Sequence, residues 1–140
     1  MQALIMALNN FTFFVFWWVL MARVPSLRGW RLADIQLLFG LVAVAFGLTV
    51  SVAGGVRHLG RFIDDGGLDT LLTQPKPVLL QALGMRAQPS GLGDVLSGLV
   101  FIVWSGQVSW RTMPWLVVAV AASALILAAC GVVFFSLGFW

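Results

Sequence analysis

The chain has 140 residues, of which 61% are hydrophobic and only 9% charged, with a mean hydropathy of +1.01. Soluble domains carry about 25% charged residues, so this sequence lacks the polar surface to cover itself in water and reads as an integral membrane protein. Its net charge of +3 comes from a few scattered arginines and the lone Lys76, too sparse for a nucleic-acid surface.

Four apolar stretches approach the ~20 residues that a helix needs to cross a bilayer: roughly 3–20, 35–53, 92–110 and 114–138. The hydrocarbon core offers no water to satisfy backbone groups, so each span is expected to be helical. The predicted fold class is an all-α integral membrane protein with about four transmembrane helices. The first stretch lacks a basic n-region and an A-x-A-like cleavage site, and is read as a retained span rather than a secretory signal. Its Asn9, Asn10 and Thr12 belong against other helices, because polar groups facing lipid are costly.

A connector over 21–34 follows, with Pro25, Gly29 and Arg23, Arg28 and Arg31. The second span carries an i,i+4 ladder of small residues, Ala43, Gly47, Ser51 and Gly55. Such a stripe lets helix backbones approach closely, either for plain packing or as a sliding interface along a pathway. The third stretch opens near Asp94, expected to cap or stabilise the helix start, and carries Ser105, Gln107 and Ser109 toward its far end. Those three could line a path or pair helices, and are read mainly as helix-pairing residues. Arg111–Met113 forms a tight hairpin before Pro114, and Ala124 and Ala128 repeat the small-residue stripe more weakly in the fourth span.

Tryptophan supports this segmentation independently. Trp17, Trp18, Trp30, Trp110 and Trp115 flank the two short connectors, which alternating spans place on one side as an interfacial belt. Trp104 falls within the third span and Trp140 at the opposite interface. Positive charges do not choose an orientation: Arg23, Arg28, Arg31 and Arg111 lie on one side, Arg57, Arg61, Lys76 and Arg86 on the other.

The only long connector, 54–90, is also the one sustained polar segment. Val56, Leu59 and Ile63 recur with helical spacing, leaving Arg57 and Arg61 on the other face, where Arg61 can reach Asp64 or Asp65. Gly66-Gly67 breaks that helix. A second begins near Leu68, with Asp69 in the first turn favoured by the helix dipole and Leu68, Leu71 and Leu72 on one face. Pro75 and Pro77 stop it. Two readings stay open on these grounds: a pair of helices lying in the head-group layer, or a helix–break–helix knob seated in a groove of a partner protein.

The run Ile63-Asp64-Asp65-Gly66-Gly67-Leu68-Asp69-Thr70-Leu71-Leu72-Thr73-Gln74-Pro75 resembles the G-x-L-D-x-L-L-x-x-P signature of ABC-2 type exporter permeases. Phe16-Trp17-Trp18 followed by Gly29-Trp30, then Ser90-Gly91-Leu92-Gly93-Asp94, then Ser136-Leu137-Gly138-Phe139-Trp140, resemble the same family in the same order. The resemblance implies that the segment between the second and third spans is cytoplasmic and contacts a separate ABC ATPase subunit. Gly66, Leu68, Asp69, Leu71, Leu72 and Pro75 would occupy the signature positions, with Arg57 and Arg61 beside them in the coupling surface. It further implies a second permease copy or paralogue as partner, a lipid surround, and a multi-pass location in the cell inner (plasma) membrane. Gly67 departs from the family pattern, which usually has an acidic or other polar residue there. Such permeases usually have six spans, so the chain resembles a partial permease.

No chemistry of its own is expected. A Walker A motif is absent and Lys76 sits between prolines, so the chain is not the ATPase and not an enzyme. Cys130 is alone in an apolar run, and the single His58 has no ligand array around it, so no metal, catalytic residue or cofactor is assigned. The leading reading is the permease subunit of an ATP-driven exporter, coupled through 56–77. The alternatives are a small four-helix proton-coupled multidrug antiporter, which would need a titratable carboxylate deep in a span, and a non-transporting membrane scaffold or accessory subunit.

Overall fold

The computed structural model describes residues 2–24, 26, 28–55, 66, 67, 73, 75, 77, 78, 81, 84 and 88–137. Their principal helices are α1 (Gln2–Arg23), α2 (Leu32–Ala53), α3 (Gly91–Trp104) and α4 (Met113–Ser136). Of these, α1, α2 and α4 are long and apolar enough to cross a membrane. The protein is an all-α membrane protein.

Local signals set the helix ends. At the start of α2, Asp34 Oδ2 accepts the Arg31 backbone N–H at 2.8 Å, satisfying a donor that would otherwise have no partner. The Arg31 guanidinium lies 3.8 Å from the same oxygen. Pro114 occupies the first turn of α4, where its missing N–H is no loss. Just before it, Thr112 Oγ1 accepts the Ser109 N–H at 2.8 Å and donates to the Ser109 carbonyl at 2.9 Å, closing the hairpin.

The third helix differs from expectation. It has 14 residues, a rise of about 21 Å against the ~30 Å of a hydrocarbon core, and it ends at Trp104 instead of running on to 110. Gly106 explains the stop. Its φ of 66° lies in the left-handed region, which glycine adopts without a Cβ clash. The Gly106 N–H bonds back to the Val103 carbonyl at 3.2 Å, and Ser105 Oγ donates to the Ile102 carbonyl at 2.6 Å, satisfying helix-end acceptors. Trp104 therefore belongs to the helix end that carries the interfacial tryptophans, not to the middle of a span.

The second helix is the hub. It packs along α3, against α4 on another face and more lightly against α1, which rests mainly on α3. Pairing partners give the directions. Gly40 meets Gly98 and Gly47 meets Gly91, so α2 and α3 are antiparallel. Ala3 meets Gly93 and Phe14 meets Phe101, so α1 and α3 run parallel. The core is small and lies where α1, α2 and α3 converge: Ala43, Val44, Ala45, Phe14, Phe101 and Ile102 are buried. Phe101 stacks 5.0 Å from Phe14 and meets Phe39 edge-on at 5.5 Å.

The exterior is apolar. Large side chains such as Leu4, Val52, Leu96, Val103, Leu125 and Phe134 are exposed, and none of the most apolar stretch of α4 is buried within the chain. Small residues inside and large apolar ones outside is the arrangement expected when lipid, not water, covers the surface.

Candidate functional site

Two seams hold α3 to its neighbours α2 and α1. The first is made of glycine. A methyl on Gly47 would lie 2.6 Å from the Gly91 carbonyl oxygen and 2.7 Å from the Val95 nitrogen. Seven residues earlier on α2, a methyl on Gly40 would lie 2.7 Å from the Gly98 carbonyl oxygen. The obstacles are backbone atoms, so α2 and α3 touch main chain to main chain at two points two helical turns apart. Ser51 extends this contact, its Oγ 2.5 Å from where a methyl on Gly91 would stand. Close approach of this kind maximises packing where the hydrophobic effect supplies no drive between helices.

The second seam is polar and ties α1 to α3. Asn10 Nδ2 donates to Asp94 Oδ1 at 2.7 Å and to Ser97 Oγ at 2.8 Å. Ser97 Oγ in turn donates to the Asp94 carbonyl at 3.1 Å. Asp94 is only 5% exposed. It stands in the first turn of α3, where the helix dipole favours an acid. Asn10 thus meets the need to pair a buried carboxylate, and α1 cannot leave α3 without exposing it to lipid.

At the opposite end, the return loop after α3 is fastened to α2. Gln107 Nε2 donates to Asp34 Oδ1, while the Gln107 N–H reaches Ser105 Oγ at 3.3 Å. Thr49 Oγ1 links α2 to α4 by facing the Ala45 carbonyl at 2.9 Å and the Ala124 carbonyl at 3.2 Å. One hydroxyl proton serves both acceptors, so the bond across helices is the weaker partner.

Of the expected coupling residues, Arg57, Arg61, Leu68, Asp69, Leu71 and Leu72 lie outside the described residues. Gly66 and Pro75 are described and exposed, Gly66 with a φ of 71°. Of the expected packing ladder, Gly47 and Ser51 sit on the α2–α3 seam, while Ala43 and Gly55 are buried. Gly40, Gly91 and Gly98 complete the seam without having been singled out as packing residues. Their signal was present as a seven-residue glycine spacing in both helices. The Asn10–Asp94 and Gln107–Asp34 pairs were likewise not anticipated as pairs. Among the described residues, no group of His, Cys, Asp and Glu side chains could hold a metal ion.

A bundle of apolar helices with Asn10, Asp94 and Thr49 paired between helices defines a multi-pass membrane protein. The sequence profile of a family described as "ABC-2 family transporter protein" matches residues 7–140, and the chain belongs to that family. It is thus a membrane component of an ABC-type transporter. No curated protein and no solved structure matches the chain significantly.

Proposed function

We propose that the chain is the permease subunit of an ATP-driven exporter in the cell inner (plasma) membrane, and that segment 56–77 transmits the work of a separate ATPase. Family membership supports the transporter role. The observation that carries the coupling reading is the glycine seam, because Gly47 and Gly91 lie at the ends of α2 and α3 that lead into the polar segment. Two helices in backbone contact at both Gly47–Gly91 and Gly40–Gly98 respond as one body to a push on the segment between them. The Asn10–Asp94 pair passes the displacement to α1.

On this reading Gly66, Leu68, Asp69, Leu71, Leu72 and Pro75 form the knob, with Leu68, Leu71 and Leu72 as apolar anchors and Arg57 and Arg61 at its polar rim. ATP hydrolysis shifts the bundle between two states by gripping the knob differently in each. A second permease copy or paralogue covers the lipid-like exterior that one chain leaves exposed. The test is co-purification with the cognate ATPase: the Leu71→Asp plus Leu72→Asp double variant loses the ATPase while keeping its helix content. Undiminished association removes the coupling reading.

A further inference from the structure

Four polar side chains of the bundle, Asn10, Thr49, Ser105 and Gln107, hydrogen-bond to a side chain or carbonyl. Ser51 Oγ is buried with no partner among the described residues, packed against Gly91; Gln36 lacks one too, beside open space. It lies one turn into α2, is only 7% exposed, and makes no side-chain hydrogen bond among the described residues. A carboxamide presents two donors and two acceptor lone pairs, and leaving such a group unpaired in apolar surroundings is costly.

The side chain is not walled in by packing. Gln36 lines a cavity of about 440 Å³ between α1, α2 and the end of α3, together with Phe11, Phe14, Trp18, Leu32 and Trp104. Small-molecule sites have volumes of about 300–1,000 Å³, with apolar and aromatic walls and few polar groups. The walls here are largely aromatic, and the Phe14 and Trp104 rings stand 5.5 Å apart, fixing one side of the cavity. No lining residue carries a charge.

From these features we infer that the cavity binds an uncharged amphiphile whose hydroxyl, carbonyl or amide group pairs with Gln36 and whose apolar body lies on the aromatic face of α1. An anion would find no cation among the lining residues, and a cation no acid. A pure hydrocarbon would fill the volume but leave the carboxamide unsatisfied. The position fits an amphiphile as well. Gln36 is near the helix ends that carry Trp18, Trp30 and Trp104, where a polar head stays close to water. Phe11 and Phe14 extend from there toward the bilayer interior. The cavity requires no ATPase to fill, so this site stands or falls separately from the proposed coupling.

The test uses the full chain in lipid nanodiscs without ATPase and three diazirine-bearing probes of equal chain length: a monoacylglycerol, a fatty acid and an alkane. The monoacylglycerol is expected to label the peptides holding Phe14, Trp18 and Trp104 over both other probes by about five-fold, roughly what one neutral hydrogen bond supplies. The excess disappears in Gln36→Leu and falls in Trp104→Ala, with helix content unchanged and detergent stability not lowered in Gln36→Leu, since leucine brings no polar group to satisfy there. Equal labelling by the alkane and the monoacylglycerol would mean ordinary lipid contact and would overturn the inference. So would full labelling of Gln36→Leu, or capture of a second copy of the chain by a photo-crosslinking residue at position 104.

Discussion

Asn10 and Asp94, distant in sequence and on different helices, meet with Nδ2 2.7 Å from Oδ1, and Asp94 has almost no exposure of its own. The pair makes the α1–α3 contact conditional on both partners. Removing the donor leaves a buried acid unpaired, whereas changing the acid to its amide keeps a hydrogen-bonding group of the same shape.

Asn10→Leu is therefore expected to destabilise the bundle more than Asp94→Asn does. Hydrogen bonds to charged groups contribute about 1.5–3 kcal/mol in water-soluble proteins, but interhelical bonds in membranes average about 0.6 and reach about 1.7. The expected loss for Asn10→Leu lies toward the upper end of that membrane range, about 1–1.7 kcal/mol, measured by unfolding in mixed micelles of graded denaturing detergent. Equal stability of Asn10→Leu and the parent would show that the contact carries no weight. The same variants separate the transport readings: Asp94→Asn retains ATP-dependent transport in a permease, and abolishes pH-driven uptake in an antiporter.

The glycine seam makes a sharper demand. A methyl on Gly47 meets two backbone atoms closer than 3 Å, and backbone cannot rotate aside as a side chain can. Gly47→Val is expected to cost at least the ~1–3 kcal/mol typical of overpacking, and to separate the helices, weakening a disulfide engineered between neighbouring positions on α2 and α3. Gly84, around whose added methyl nothing lies within 4 Å, serves as control: Gly84→Ala leaves detergent stability unchanged.

Thr49→Val tests the weaker α2–α4 link. Because one proton is shared between the Ala45 and Ala124 carbonyls, the expected loss is below about 1 kcal/mol. A larger loss, measured by the same detergent titration, would mean that Thr49 commits its proton to α4.

Gln107→Leu frees the loop after α3 from Asp34 and leaves the Arg31 cap intact. Backbone amides of 107–112 are expected to exchange with solvent deuterium faster, while those of the first turn of α2 stay protected. Unchanged exchange in 107–112 would show that the Ser109–Thr112 turn alone holds the loop.

The long helices were legible because hydropathy and the tryptophan belt report the same boundary from different chemistry. The end of α3 was not, because an apolar window runs across Ser105-Gly106-Gln107, and only the left-handed backbone at Gly106 marks the stop. The packing seam was half legible. Gly47 and Ser51 fall on an i,i+4 ladder, but the contact repeats every seven residues and pairs Gly40 with Gly98. Nor could the sequence pair Asn10 with Asp94, since that needs the knowledge that α1 lies beside α3 and parallel to it. Gln36 gave no periodic signal, being one polar residue among apolar neighbours in α2.

Side-specific thiol labelling at the knob tests most directly whether a soluble motor reaches this bundle from the cytoplasm. With Cys130→Ala removing the native thiol, Leu71→Cys should react with a membrane-impermeant maleimide in inverted vesicles, not in intact cells, and become protected when the ATPase is added. Reaction in intact cells, or no protection by the ATPase, would contradict the account.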